Sequence, residues 1–364
     1  VPAQLDRDLS IRDLTDPAAG PHALQLVLAR AVEALATRWG CEVRWWRGDR
    51  IVTIKDNYDN LGYRADDITR DSRYTRYVDD KRMLRSHSSA LIPGALRALA
   101  ADPADDVLLV CPGLVYRRDT IDRLHTATPH QLDLWRVTRR SMTTSDLDEM
   151  VAALVEALLP GAEHRSEDRV HPYTLSGLQV DVERDGEWIE VAECGLAHPQ
   201  VLARAGLDSA WSGLALGMGL DRMLMLLKGI PDIRILRSTE PAVAAQLTDL
   251  AAYRLVSGMP AIRRDISVVV AHDDLAEDLG DRIREALGSD ADCVEEVEIL
   301  AQTPCTRLPP QALQRLGARL DQKNVLVKVV LRHLDRTLTD QEANVLRDRV
   351  YAAVHQGTVH QWAV

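Results

Sequence analysis

The feature that most constrains the fold is a pair of β-rich segments, Leu178 to Glu183 and Trp188 to Glu193, joined by Arg184-Asp185-Gly186-Glu187. Alternating residues on either side of Asp-Gly predict an antiparallel hairpin, because such turns need positive backbone angles that Asp and Gly tolerate. Glu42 to Arg47 and Ile51 to Lys55, separated by Gly48-Asp49, read as a second hairpin. Further strand candidates are Asp106 to Cys111, Leu114 to Arg118 and Gln131 to Val137. Between Pro21 and Trp39, residues Leu24, Leu26, Val27, Leu28, Ala31, Val32 and Leu35 recur at helical spacing and predict an amphipathic packing helix. Strands arriving as hairpins with helices between them predict an α+β fold, an antiparallel sheet with flanking helices.

After Ser238 the pattern changes. Pro241 to Val256 reads as helical and stops at Gly258-Met259-Pro260. The expected organisation is a larger domain over 1–240, a linker helix within 241–258 and a second domain over 259–364. In the last of these, strands Asp265 to Ala271, Cys293 to Ala301, Asn324 to Leu331 and Thr358 to Trp362 alternate with helices. The helices are Asp273 to Leu287, Pro310 to Leu316 and Asp340 to Val354, the last opened by a capping box at Thr339-Asp340-Gln341-Glu342. That βαββαβ order is ferredoxin-like.

Charge narrows the function. With 44 Lys and Arg against 55 Asp and Glu, the net charge of −11 argues against holding nucleic acid by bulk positive charge. No apolar run approaches the roughly 20 residues of a membrane span, and Val1-Pro2-Ala3-Gln4-Leu5 is no signal sequence. A soluble, cytoplasmic protein is expected, with no membrane partner. The five cysteines are scattered without a Cys-x-x-Cys pair, which speaks against a zinc site or a disulfide framework. Phenylalanine is absent, although seven Trp and eight Tyr are present. Biased genome composition thins a residue type but is not expected to erase it.

Four polar segments stand out: Met83 to Ser89; Val115 to Asp119 with Asp122, His125 and His130 to Asp133; Glu190 to Gly195 with His198; and Gly217 to Arg222. Two arginines, one on an extended segment and one opening a helix after small residues, can grip a polyphosphate from two sides, since guanidinium groups bind phosphate oxygens bidentately. Gly217 and Gly219 would let the backbone approach a bulky ligand.

Taken in order, these segments resemble class II aminoacyl-tRNA synthetases, in particular the phenylalanyl type in its single-chain organellar form. The resemblance rests on Arg85-Ser86-His87-Ser88-Ser89, Val115-Tyr116-Arg117-Arg118-Asp119, His130-Gln131-Leu132, Trp188-Ile189-Glu190-Val191, Cys194-Gly195 and Gly217-Met218-Gly219-Leu220-Asp221-Arg222. Met259 to Ile266 and Asp335 to Asp340 are similar to the ferredoxin-fold anticodon-binding domain of that family. The resemblance implies that 1–240 is the catalytic domain, with Arg117 and Arg222 as catalytic residues on the α- and γ-phosphates of ATP and with Asp119, His125 and Gly219 at the nucleotide. It implies His87, Ser89, Gln131 and Asp133 as amino-acid binders, and Glu190 as a Mg²⁺ ligand. The implied partners are an amino acid and a tRNA, with a Phe-type tRNA as the candidate. A single chain, monomeric or homodimeric, would act without a second subunit or an editing domain. Arg263, Arg264, Lys323, Lys328, Arg332 and Arg336 are the expected tRNA-binding residues, in a domain whose 13 basic and 17 acidic residues leave it net negative.

The sequence departs from the family around one pocket. His171-Pro172-Tyr173 stands where the family has Phe-Pro-Phe, Ala192-Glu193 where it has Leu-Gly, and Asp133-Leu134 where it has Glu-Gly; Leu flanks Ala215 where Phe is usual. An imidazole, a phenol and a carboxylate beside an apolar cavity need partners. His171, Tyr173, Glu193 and Ala215 are therefore expected to shape a more polar pocket that favours a hydrogen-bonding side chain over Phe. The competing expectation is that these groups satisfy one another and the pocket still accepts Phe. A paralogue loading a Phe-type tRNA with another amino acid could escape its own product by containing no Phe. Two alternatives remain: an adenylating enzyme with a non-tRNA acceptor, and a catalytically silent binder of tRNA or amino acid.

Overall fold

The computed structural model describes residues 2–72, 75–256, 259–334 and 336–360. They form two compact units, one of residues 1–117, 128–230 and 245–253, the other of residues 118–127, 231–244 and 254–364.

In the first unit, in chain order, come α1 (Pro2–Ser10), α2 (Ala23–Trp39), β1 (Glu42–Trp45), β2 (Ile51–Thr53), α3 (Ile54–Asn57), β3 (Arg82–Leu84) and α4 (Ile92–Ala101). There follow β4 (Asp106–Leu114), β5 (His130–Thr138), α5 (Thr144–Leu158), β6 (His164–Asp168), β7 (Thr174–Arg184), β8 (Glu187–Ala197), α6 (Pro199–Arg204), β9 (Ser212–Gly219) and α7 (Leu220–Lys228). Seven strands make one sheet in the order β1-β4-β5-β9-β8-β7-β6. All its pairs are antiparallel except β1 with β4.

The β7–β8 hairpin forms as expected, with Asp185 at φ 54° and Gly186 at φ 86°, the left-handed pair a two-residue turn requires. The other hairpin does not form. β1 pairs in parallel with Val107–Val110, and β2 pairs with β3, so the sheet is mixed and not wholly antiparallel. Leu114 to Arg118 is no separate strand either: β4 runs through Leu114, after which Val115 N–H donates to Pro129 and Tyr116 N–H to Arg85.

Alternation sets the two sheet faces. Leu109, Cys111, Trp135, Val137, Ala197 and Ala215 share a core with Leu91, Ile92, Ala95, Leu96 and Leu99, beneath α4. Their strand neighbours Leu108, Val110, Leu134, Leu214 and Leu216 are buried on the opposite side, where α2, α5 and α7 meet the sheet. The α2 helix starts where His22 accepts from Leu24 N–H and stops at left-handed Gly40; α5 starts at a Thr143/Asp146 capping box.

The second unit holds α8 (Pro241–Ala244), β10 (Ile262–Ala271), α9 (Ala276–Leu287), β11 (Val294–Pro304), α10 (Pro310–Leu316), β12 (Gln322–Leu331) and α11 (Asp340–Val354). Its sheet has three antiparallel strands in the order β10-β12-β11. Ile266, Val268, Val270, Val325, Val327 and Val329 pack on Leu279, Ile283, Leu346 and Val350 of α9 and α11. The Thr339/Glu342 capping box forms. The expected linker helix is only α8 followed by a 3-10 turn over Ala245–Thr248. No strand forms over 358–360, and 361–364 lie outside the described residues, as does Asp335 of the motif quoted above.

Candidate active site

The site grows out of sheet register. Gln131, Asp133 and Trp135 of β5 stand opposite Gly219, Gly217 and Ala215 of β9, while Glu193 and Gly195 of β8 stand opposite Gly217 and Ala215. Paired residues in antiparallel strands point to the same side, so small residues of β9 form a floor between two walls.

On the β5 wall, Asp133 is buried. It accepts hydrogen bonds from Ser88 Oγ (2.5 Å), Ser89 Oγ (3.1 Å) and its strand neighbour Trp135 Nε1 (3.1 Å). Burial pushes its carboxyl up to about 6, against the pull of those three donors. Ser88 N–H donates to Gln131 Oε1 at 3.1 Å, fixing the loop after β3 to β5. His87, from the same loop, lies 3.4 Å from Asn57 through Nε2, while its Nδ1 is buried without a partner. Burial, then the nearby charge of Arg117, holds this imidazole down to about 3, so it stays neutral. Arg117 donates through Nε to Ser86 O at 3.1 Å.

On the β8 wall, Glu193 lies 3.2 Å from His171 Nε2 and 3.3 Å from Arg169. Burial alone would raise its carboxyl; His171, Arg169 and Arg117 more than offset this and hold it below the usual range, hence charged. Glu190 is raised, by burial first and by Glu193 next, with Arg222 opposing. Arg222 itself donates to Glu190 O at 3.1 Å. Arg222 is thus bonded at Glu190, and Arg222 and Arg117 are among the positive charges that favour the ionised forms of Glu190 and Glu193 respectively.

Tyr173 roofs the floor. Its ring lies 5.5 Å from His171, 6.2 Å from Trp135 and 6.2 Å from Tyr63. The expected residues His87, Ser89, Gln131, Asp133, His171, Tyr173, Glu193, Ala215, Glu190, Gly219, Arg117 and Arg222 therefore belong to this one unit. Asp119 and His125 do not. They belong to segment 118–127 of the second unit, where Arg284 grips the carbonyls of Asp119 and Thr120, and Asp122 lies 2.7 Å from His125 Nδ1.

Two positioning groups escaped the sequence reading. His130, wholly buried, accepts from Leu14 N–H through Nε2 (3.1 Å) and faces Asp221 through Nδ1 (2.9 Å), so it donates to that carboxylate. This bond ties the residue before Arg222 to the start of β5. Buried Arg85 donates to Leu114 O (2.6 Å) and Gly48 O (3.2 Å), pinning the loop that carries His87. Both lie within the quoted motifs; only their partners were hidden.

The six basic residues of the second unit do not form one face. Register puts Arg263 and Lys328 on one side of the sheet, and Arg264 and Lys323 on the other. Lys323 is buried and donates to Asp274 O at 2.6 Å. Lys328 is paired with Glu296 and Glu298, Arg264 with Asp340, Arg332 with Glu295 and Arg336 with Glu342. Among the described residues there is no cluster of three or more His, Cys, Asp or Glu able to hold a metal ion, and no helix long and apolar enough to cross a membrane.

Residues 7–247, which hold this mixed sheet, match the family described as tRNA synthetases class II core domain (F), and the chain belongs to that family as an aminoacyl-tRNA synthetase-type enzyme. More particularly, it is similar to the phenylalanine–tRNA ligase alpha subunit of Prochlorococcus marinus (strain MIT 9313), at 33% identity over 63% of this chain and 68% of the relative. It is also similar to the chloroplastic/mitochondrial phenylalanine–tRNA ligase of Arabidopsis thaliana, at 28% identity over 82% of this chain and 68% of the relative. A probable mitochondrial phenylalanine–tRNA ligase of Drosophila melanogaster matches at 25% identity over 83% of this chain and 75% of the relative.

Proposed function

We propose that the chain activates an amino acid with ATP and transfers it to tRNA, through an amino-acid pocket more polar than that of its phenylalanyl relatives. The observation that carries the reading is the register that sets buried Asp133 and Glu193 on either side of Gly217, with Arg222 bonded to Glu190 O of the same strand as Glu193 and Arg117 to Ser86 O of the loop that holds Asp133. The substrate's ammonium pairs with Asp133 and its carboxylate attacks the α-phosphate, forming the mixed anhydride and releasing pyrophosphate. Arg117 stabilises the charge that grows at the α-phosphate, and Arg222 holds the terminal phosphates. No covalent enzyme intermediate is required, because alignment of the two substrates supplies the rate.

Mg²⁺ suits this arrangement as a phosphate-bound ion needing only one or two protein carboxylates. Glu190, whose charge is disfavoured beside Glu193, would hold it, and the ion would neutralise phosphate charge. In this reading 1–240 is catalytic, 241–258 connects, and 259–364 is a ferredoxin-like anticodon-binding domain; the enzyme works in the cytoplasm as a single chain, monomeric or homodimeric.

Amino-acid-dependent ATP–pyrophosphate exchange tests the reading. Arg117→Ala and Arg222→Ala should each lower exchange roughly 10²- to 10³-fold, the scale of losing one pre-organised charge stabiliser, with far-UV circular dichroism unchanged. Exchange unaffected by both substitutions would remove the proposal. A second reading, delivery of the adenylate to a non-tRNA acceptor, is favoured by the intramolecular pairing of Arg264, Lys328, Arg332 and Arg336. Charging of a tRNA pool followed by mass identification of the attached amino acid separates the two.

A further inference from the structure

The floor between Asp133 and Glu193 is not equally open along its length. At the inner end, a Cβ added to Gly195 would lie 2.6 Å from Thr174 Cβ, and the Trp135 indole, wholly buried, stands beside Ala215. Tyr173 lies nearly parallel to Trp135 (28°) and to His171 (24°). At the outer end, a Cβ on Gly217 would meet only the Asp133 side chain, at 3.7 Å or beyond, and one on Gly219 would meet nothing within 4 Å. The free room is therefore the strip over Gly217, between carboxylates whose strands are two steps apart, roughly 10 Å from backbone to backbone. Their own side chains take part of that span. An aromatic side chain, with its 150 Å² or more to bury, would have to displace Tyr173 or Trp135.

The strip also has a chemical preference. His171 Nε2 is buried and, though 3.2 Å from Glu193 Oε2, lacks a well-directed hydrogen bond. Its Nδ1 lies 3.1 Å from Thr174 Oγ1, which can donate to it and leave the proton on Nε2. A hydroxyl placed there accepts from Nε2–H, completing His171, and donates to the Glu193 oxygen not paired with Arg169. A methyl or a phenyl ring leaves buried His171 Nε2–H without an acceptor.

We propose that this site takes an amino acid with a short, hydroxyl-bearing side chain of the serine or threonine class, with Trp135 and Tyr173 excluding aromatic side chains and the His171–Glu193 pair reading the hydroxyl. The inference rests on amino-acid activation at this site. The test is ATP–pyrophosphate exchange by the full chain with each of the twenty amino acids, paired with equilibrium dialysis of radiolabelled serine, threonine and phenylalanine. Serine or threonine should exceed phenylalanine at least a hundredfold in kcat/KM. Glu193→Gln should bring serine to within about tenfold of alanine, and Tyr173→Ala should raise the phenylalanine signal. Exchange with phenylalanine or tyrosine equal to or above that with serine and threonine would overturn the inference while leaving activation intact. Absence of exchange with every amino acid would remove activation; dialysis then decides the pocket, binding of serine or threonine alone upholding it and binding of phenylalanine, or of none, ending it.

Discussion

Asp133 offers the sharpest thermodynamic test of the site. An ordinary Asp carboxyl titrates at 3.8, whereas burial places this one at about 6 in the folded protein. At about 1.4 kcal/mol per pH unit, ionising Asp133 costs the native state about 3 kcal/mol more than it costs the unfolded chain. Because the folded value is the higher one, the native protein holds an extra proton between about pH 4 and 6. The group's contribution to stability is fully present below about pH 4 and is lost as the pH rises through about 6. Asp133→Asn removes the titration and keeps an acceptor oxygen for Ser88 and Ser89, while its amide nitrogen replaces the oxygen that faces Trp135 Nε1, a loss that does not vary with pH. In urea unfolding of the amino-acid-free protein from pH 4 to 7, wild-type stability minus that of the variant should therefore fall by about 2 to 2.5 kcal/mol, the part of the full difference that lies in this interval, all other titrations cancelling in the difference. A difference independent of pH would refute the buried-carboxyl argument. The same ionisation is what an ammonium group needs, so amino-acid affinity should improve through the same interval as the pH rises.

The fold carries further expectations. Thr143→Ala removes the α5 cap, in which Thr143 Oγ1 accepts from Asp146 N–H, and should cost about 1 kcal/mol, measured by thermal unfolding. Glu295, buried in the second unit and facing Arg123 (3.0 Å), Arg234 (3.4 Å) and Arg332 (2.5 Å), should tolerate loss of charge poorly. Glu295→Gln leaves three guanidinium groups without their shared carboxylate and should destabilise the unit by about 3 to 5 kcal/mol, seen as an earlier calorimetric transition.

Most elements were legible because their cause is local. The Asp185-Gly186 turn, the Thr339/Glu342 cap and the apolar stripe of α2 each act within a few residues, and each formed. The Glu42–Lys55 stretch failed for the complementary reason. Gly48-Asp49 signals a turn, but β1 and β2 find better partners in β4 and β3, which are distant in sequence. The linker helix shrank to Pro241–Ala244 and a 3-10 turn, while Asp249 and the Ala251 carbonyl satisfy buried Lys228, a demand no window of sequence displays.

At the site the division is similar. Residue types and their order in the chain pointed to Arg117, Arg222, Asp133, His171, Tyr173 and Glu193 as candidates, and all six fall in the first unit. Tertiary structure alone decided that Asp133 and Glu193 flank the same glycine, that His130 anchors Asp221, and that Trp135 and Tyr173 fill the inner end. It also decided that Arg264, Lys323 and Lys328 spend their charge on neighbours and on opposite sheet faces. The physical reason is range: turns, caps and amphipathic stripes are fixed by neighbours along the chain, whereas burial, charge partners and cavity shape depend on strand register between segments tens of residues apart.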